Sequence, residues 1–187
     1  MNKFDAIIIG GSAGSFQVIA EILGSLPKTF NIPIILCFHR LQSERNGFIE
    51  ALSPRSVLPI IEPLDKMPIK GGNIYLAPAN YHLYIEADKH FALSVEETEN
   101  HSRPSIDLAF HTAARVYKEK LIGIILSGAN GDGARGSKSI NENNGFIIVQ
   151  DPEDAEVKLM PKASIANAKI NKIIKSSEIV SFLLEIT

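Results

Sequence analysis

The chain has 187 residues, of which 45% are hydrophobic and 21% charged, and this composition is typical of a soluble globular domain with one core. The formal net charge of -2 gives no electrostatic reason to expect a nucleic-acid or anionic-membrane partner. One cysteine, Cys37, excludes an internal disulfide and a cysteine-rich zinc site, and the absence of a signal-peptide pattern or a membrane-length apolar run favours a cytoplasmic protein without membrane insertion.

Four short apolar runs along the chain predict buried strands. They cover residues 6–9, 32–38, 121–126 and 146–149. Because each run is continuously apolar, we expect strands buried on both faces and therefore a parallel sheet. Residues 14–23 and 104–117 carry apolar side chains at helical spacing, and Pro104 suits a first helical turn. This alternation predicts an α/β fold with a doubly wound, mostly parallel sheet in a Rossmann-like, three-layer α/β/α arrangement.

The middle of the chain predicts an antiparallel hairpin. Apolar segments at 74–78, 83–86 and 91–95 are punctuated by turn-forming residues such as 87–89. We expect this hairpin to be an addition to the sheet. No stretch is long and polar enough to be a linker, so residues 1–187 are predicted to form a single domain.

Three polar residues follow predicted parallel strands. Ser12 comes after the first strand, His39 after the second and Asp132 in the loop after the third. The carboxyl ends of parallel strands share one edge of the sheet, where ligands bind. A serine nucleophile needs a histidine base, and the histidine needs an acid that fixes its tautomer. The three residues therefore form a candidate catalytic triad.

The turn after the first strand has more than one interpretation. Gly10, Ser12 and Gly14 fit the G-x-S-x-G pattern of a nucleophile elbow, but a plain structural turn fits equally well. A dinucleotide-binding turn is disfavoured because the strict glycine pattern fails and the second strand ends in His39 rather than an acid. Asp132 by itself is also typical of turn and helix capping. The order Ser, His, Asp along the chain differs from the order in α/β-hydrolases, so a triad here would belong to a fold other than the α/β-hydrolase fold.

The chain resembles the catalytic domain of the chemotaxis protein-glutamate methylesterases, the CheB family. The similar segments occur in the family's order along nearly the whole chain, at residues 9–14, 38–39, 74–78, 81–83, 101–107, 126–133, 150–155 and 160–163. The resemblance implies hydrolysis of glutamate methyl esters on chemoreceptor helices with release of methanol, and in some members deamidation of glutamines. It implies Ser12 as nucleophile, His39 as general base and acid, and Asp132 as the orienting acid, without a metal or an organic cofactor.

The chain also departs from the family pattern close to the candidate nucleophile. Ala13 stands where a hydroxyl residue is common, Ser15 where glycine is usual, and Ala129 where the loop usually has methionine. These departures motivate an alternative in which the domain is a weak or inactive module that binds receptor or signalling helices. A separate receiver domain or other regulatory protein is a further expected partner.

Three arginines near the candidate site, Arg40, Arg103 and Arg135, are candidate contacts for acidic receptor helices. An ordinary solvated arginine is the alternative for each of them.

Overall fold

Nine strands and six α-helices occur in the computed structural model, which describes residues 3–39 and 47–186. The strands are β1 (Ala6–Gly11), β2 (Ile34–Phe38), β3 (Ile60–Ile61), β4 (Ile74–Leu76), β5 (His82–Ile85), β6 (Phe91–Ser94), β7 (Leu121–Ile125), β8 (Phe146–Gln150) and β9 (Lys172–Ile174). The helices are α1 (Phe16–Ser25), α2 (Gly47–Leu52), α3 (Ile106–Tyr117), α4 (Ala134–Glu142), α5 (Leu159–Asn167) and α6 (Ser176–Glu185).

Seven strands form one sheet in the order β3-β4-β2-β1-β7-β8-β9, and every neighbouring pair is parallel. The central strands are buried on both faces because their side chains alternate between two layers of helices. Ile7 and Ile9 of β1 pack into the layer that contains α1 and α6, whereas Ile8 packs into the layer that contains α3, α4 and α5. The predicted doubly wound, three-layer α/β/α architecture is therefore confirmed.

The hairpin is confirmed, and the structure defines its members more closely. β5 and β6 pair antiparallel in a separate two-stranded sheet that packs against α3. The apolar segment that begins at Ile74 does not belong to the hairpin. It forms β4, which pairs parallel to β2 and β3 in the main sheet.

Cys37 lies in β2 and is fully buried, as expected of a small core residue. In the described part of the chain, no helix combines the length and apolar character that a membrane span requires.

Candidate active site

The sheet brings the ends of three neighbouring strands together. β1 lies between β2 and β7, with Gly11 paired with Phe38 on one side and Gly10 with Ile125 on the other. Ser12 directly follows β1, His39 directly follows β2, and Asp132 lies in the loop between β7 and α4. The order of the strands therefore places the three predicted residues at one edge of the sheet.

A tight turn presents Ser12 between β1 and α1. Gly14 has a φ of 77°, a left-handed conformation that side chains other than glycine rarely adopt. The buried Ser15 donates to the Ser12 carbonyl from its backbone N–H at 3.1 Å and from its hydroxyl at 2.6 Å. The Ser15 hydroxyl thus adds a hydrogen bond that tightens the turn. The Ser12 side chain is half-buried.

Ser127 ties this turn to the loop after β7. Its carbonyl accepts the Ser12 N–H at 2.9 Å, and its hydroxyl donates to the Ala13 carbonyl at 2.7 Å. The same hydroxyl accepts the Val157 N–H at 2.9 Å, and the Ser127 N–H donates to Gln150 Oε1 at 3.0 Å. One buried serine therefore connects the candidate nucleophile with two other segments of the sheet edge.

His39 and Asp132 form a close pair. The His39 Nε2 donates to Asp132 Oδ2 at 2.7 Å, and the side chains are 13% and 0% exposed. Because Nε2 contacts the carboxylate, Nδ1 is the ring nitrogen that can accept the proton of a serine hydroxyl. Within the described residues there is no hydrogen bond between the Ser12 hydroxyl and the His39 ring, and such contacts often tighten only when substrate binds.

The Asp132 carboxylate accepts six hydrogen bonds although it is fully buried. Oδ2 accepts from His39 Nε2 and from the Ile106 N–H, each at 2.7 Å. Oδ1 accepts from the donors Asn100 Nδ2, Ser105 Oγ, Asp107 N and Gly133 N, at 3.0 to 3.2 Å.

This set of donors keeps Asp132 ionised. Burial alone would raise the pKa of Asp132, but the hydrogen bonds from His39 and from the Ile106 and Asp107 amides outweigh burial and lower the pKa below its ordinary value. Ile106 and Asp107 begin α3, so the carboxylate also lies at the positive end of that helix. Asp132 therefore both caps the start of α3 and binds a histidine, so its contacts fit both interpretations of this residue.

Asp107 performs the reciprocal task at the start of α4. Its Oδ1 accepts the N–H groups of Gly133 and Gly136, at 2.9 and 2.7 Å. Asp132 thus caps α3, the helix that contains Asp107, and Asp107 caps α4, the helix that follows Asp132. This exchange holds the main chain on both sides of Asp132 in place.

Two of the three predicted arginines are held by the protein itself. Arg103 Nη1 donates to the carbonyls of Val95 and Glu96, at 2.8 and 2.7 Å. Arg135 forms ion pairs with Glu99 and, at 3.0 Å, with Asp107, and these partners raise its pKa. The Arg135 side chain is 63% exposed, so part of its guanidinium still faces solvent. Arg40 lies outside the described residues.

Several supporting residues were not predicted from the sequence as parts of the site: Asn100, Ser105, Asp107, Ser127 and Gln150. Ser105 and Asp107 lie within the recognised segment 101–107, where a serine before a helix is a capping signal that could have identified them. Ser127 and Gln150 also lie within recognised segments, 126–133 and 150–155, but the contact that Ser127 makes is with Ala13, more than 100 positions away. Asn100 carries no comparable signal, because the carboxylate of Asp132 that it binds is about 30 positions away. In the described ranges 3–39 and 47–186, no group of three or more His, Cys, Asp or Glu has the arrangement of a metal site.

Comparison with known proteins places this geometry in context. The chain matches the family described as CheB methylesterase over residues 7–183. A Leptospira interrogans protein named as a putative protein-glutamate methylesterase/protein-glutamine glutaminase is 43% identical over 184 residues, which are 98% of this chain and 95% of that protein. A Trichodesmium erythraeum protein named as a protein-glutamate methylesterase/protein-glutamine glutaminase is 32% identical over 169 residues, 89% of this chain but 48% of its own length. The crystal structure of the Thermotoga maritima CheB methylesterase catalytic domain superposes with a TM-score of 0.93 at 30% identity, covering 98% of this chain and 99% of that one.

Proposed function

The chain belongs to the CheB methylesterase family, and from this premise we propose that it is a serine carboxylesterase acting on glutamate methyl esters of bacterial chemoreceptors. The observation that carries the proposal is the 2.7 Å hydrogen bond between His39 and a fully buried, ionised Asp132, beside the turn that presents Ser12. An oriented histidine next to an accessible hydroxyl is the arrangement that acyl transfer requires.

In the proposed reaction, His39 Nδ1 takes the proton of the Ser12 hydroxyl while the serine oxygen attacks the ester carbonyl. The protonated ring then gives that proton to the methoxide as it leaves as methanol. Water attacks the resulting acyl-enzyme by the same route and frees the glutamate carboxylate and Ser12. Asp132 stays ionised throughout and stabilises the imidazolium that forms twice in the cycle.

The same chemistry extends to amides. The Leptospira and Trichodesmium relatives are named as glutaminases as well as methylesterases. An amide differs from an ester mainly in its leaving group, which His39 would protonate as ammonia. We therefore include deamidation of receptor glutamines in the proposal. Partners would be the methylated receptor helices and a receiver or other regulatory protein, in the reducing cytoplasm that a single buried thiol suits.

The test is methanol release from methyl-labelled receptor, with wild-type protein and with Ser12→Ala. We expect Ser12→Ala to remove nearly all activity, because members of a triad act as a unit. The matched control is Ser25→Ala, which removes an exposed hydroxyl at the far end of α1 and should leave the rate unchanged. Methanol release that survives in Ser12→Ala would contradict the serine mechanism. Receptor binding without methanol release by the wild type would instead favour a non-catalytic binding module.

A further inference from the structure

A two-residue turn beside the site projects an amide onto the Asp132 carboxylate. Glu99 and Ser102 form an isolated antiparallel bridge, with hydrogen bonds of 3.2 and 2.9 Å in the two directions. The two residues between them, Asn100 and His101, have φ values of 52° and 61°. Two successive positive φ values describe a type I′ turn, in which histidine is less favourable than glycine.

The Asn100 amide joins the two aspartates of the site. Its Nδ2 donates to Asp107 Oδ2 and to Asp132 Oδ1, each at 3.0 Å. Asn100 itself is exposed, whereas both carboxylates are buried. The turn therefore reaches inward from the surface with a neutral double donor, at a point where two negative charges lie close together. Unfavourable backbone conformations that persist at such a point are a reason to look for function.

We propose that Asn100 is a positioning residue for the esterase reaction: it holds the Asp132 carboxylate in the orientation that His39 requires. This inference rests on the proposed function. Among the described residues, Asn100 forms no hydrogen bond with Ser12 or His39, so its effect on the reaction passes through Asp132; it also binds Asp107 and, at 3.5 Å, Arg135. A side chain there that could not donate would leave the two carboxylates without their shared donor, and it would remove one of the four hydrogen bonds that orient Asp132 Oδ1.

The test compares three variants in the turn. Asn100→Ala removes the donor, and we expect kcat and kcat/KM to fall together by about 10-fold, because a hydrogen bond to a charged group is lost and substrate binding is not. Asn100→Asp keeps the shape but adds a third negative charge, so its loss should exceed that of Asn100→Ala. The control His101→Gly changes the same turn, relieves an unfavourable φ and should retain full activity.

Thermal unfolding of each variant separates positioning from loss of structure. Because Asn100 lies on an exposed turn, the midpoint for Asn100→Ala should stay within a few degrees of wild type. The Nε2–H resonance of His39 in the proton NMR spectrum gives a readout independent of turnover, and Asn100→Ala should shift it while His101→Gly does not. An unchanged kcat together with an unchanged His39 resonance in Asn100→Ala would overturn the proposal. If the wild-type protein releases no methanol, the proposed function is wrong. The NMR comparison would still decide whether Asn100 positions the Asp132–His39 pair.

A different contact carries a second inference, which concerns substrate charge. A Cβ built on Gly14 would lie 2.6 Å from the Glu156 Cβ and 3.0 Å from its carboxyl carbon, so this side chain lies directly on the nucleophile turn. Gly14 is two Cα steps of about 3.8 Å from Ser12, so the Glu156 carboxyl carbon lies within roughly 12 Å of the Ser12 Cα. Glu156 is exposed, and none of the hydrogen bonds or ion pairs among the described residues involves its carboxylate.

We infer that Glu156 is a specificity-determining residue that disfavours esters with an acidic neighbour and favours esters with a basic one. At a separation of about 8 Å, one pair of unit charges changes an equilibrium by roughly 2-fold at a dielectric constant of about 80 and roughly 30-fold at about 20. The inference deepens the proposed function, since it specifies which methyl esters the same site takes.

The test uses two peptides with a glutamate methyl ester, one with lysine and one with the neutral glutamine beside the ester, so that they differ by one charge pair with Glu156. Wild type should prefer the lysine peptide in kcat/KM by about 2- to 30-fold, and Glu156→Gln should reduce that ratio towards one. High salt, about 1 M, should have the same effect as the substitution. The matched control is Glu153→Gln, which removes a carboxylate of the same segment that is engaged with Lys158 at 2.7 Å.

If Glu156→Gln leaves the kcat/KM ratio of the two peptides unchanged, this inference is wrong. Binding of the two peptides to the Ser12→Ala variant measures the same charge preference without hydrolysis. The binding measurement therefore tests the charge preference even if the protein hydrolyses neither peptide.

Discussion

Replacing Asp132 with asparagine tests how the site and the fold depend on one carboxylate. The substitution preserves the size of the side chain, but it converts one accepting oxygen into a donating NH2 group. In the wild type, Oδ2 faces two donors and Oδ1 faces four. Whichever way the asparagine amide is turned, its NH2 group faces at least two buried donors.

The expected cost follows from that count. An unsatisfied buried polar group costs about 1–3 kcal/mol, and the Ile106 N–H stays unsatisfied even when His39 changes tautomer, so the free energy of unfolding falls by at least about 1–3 kcal/mol. With the NH2 group towards His39, Nε2 must accept and the ring proton moves to Nδ1, where a base is needed. The wrong tautomer of a triad histidine costs about 10⁴ in kcat. With the NH2 group on the Oδ1 side, four donors are mismatched, so the stability loss is larger and the catalytic loss smaller.

Two measurements check this prediction. Urea denaturation gives the free energy of unfolding, and methanol release from methyl-labelled receptor gives kcat. The control is Asp88→Asn, a carboxylate that is 69% exposed in the turn between β5 and β6 and should change neither quantity. If Asp132→Asn stays within about 0.5 kcal/mol and 2-fold of wild type, the reasoning about tautomer and hydrogen-bond satisfaction is wrong.

Three further predictions concern acid, Ser127 and Gly14. Because the pKa of Asp132 in the folded state is below its ordinary 3.8, ionised Asp132 stabilises the fold above that pH, and the stabilisation disappears as the pH falls through the lower folded value. Acid unfolding followed by circular dichroism should therefore be steeper below about pH 4 in wild type than in Asp132→Asn. Ser127→Ala removes the hydrogen bonds to Ala13 and Val157, and calorimetry should show a loss of about 1–3 kcal/mol together with a lower kcat. Gly14→Ala puts a methyl group 2.7 Å from the Ser127 hydroxyl at a φ of 77°, so urea denaturation should show a loss of at least about 1 kcal/mol.

The sheet was predictable wherever a strand is long and buried. β1, β2, β7 and β8 are continuous apolar runs, and their pattern has few alternatives once helical segments lie between them. β3 has two residues and β9 is a short, largely exposed edge strand, so neither has a hydrophobic pattern of its own. Their pairing depends on tertiary contacts. The helices α2, α4, α5 and α6 were likewise not predicted, and most side chains of α4 are polar or charged, so its apolar stripe is too narrow to stand out.

The position of the candidate residues was predictable, but their contacts were not. Strand ends place Ser12, His39 and Asp132 at one edge because the topology of a parallel sheet requires it. Which imidazole nitrogen faces the acid is a tertiary contact, His39 Nε2 with Asp132 Oδ2, between residues 93 positions apart, and the local sequence does not encode it. The support from Asn100 needs a turn with two positive φ values 32 residues before Asp132. The catalytic roles of Ser12 and Asp132 are predictions that Ser12→Ala and Asp132→Asn test.

The exchange of caps between Asp107 and Asp132 connects the chemistry to the fold. A buried carboxylate without partners would be protonated and could not stabilise an imidazolium. Here, backbone N–H groups at the start of α3 and α4 supply donors that do not depend on His39, so the charge on Asp132 is already stabilised before the ring gains a proton. His39 can therefore move between its neutral and protonated forms while Asp132 stays in place. The start of α3 would lose its Asp132 cap if the charge were removed, which makes the orienting acid of the proposed reaction a structural residue as well.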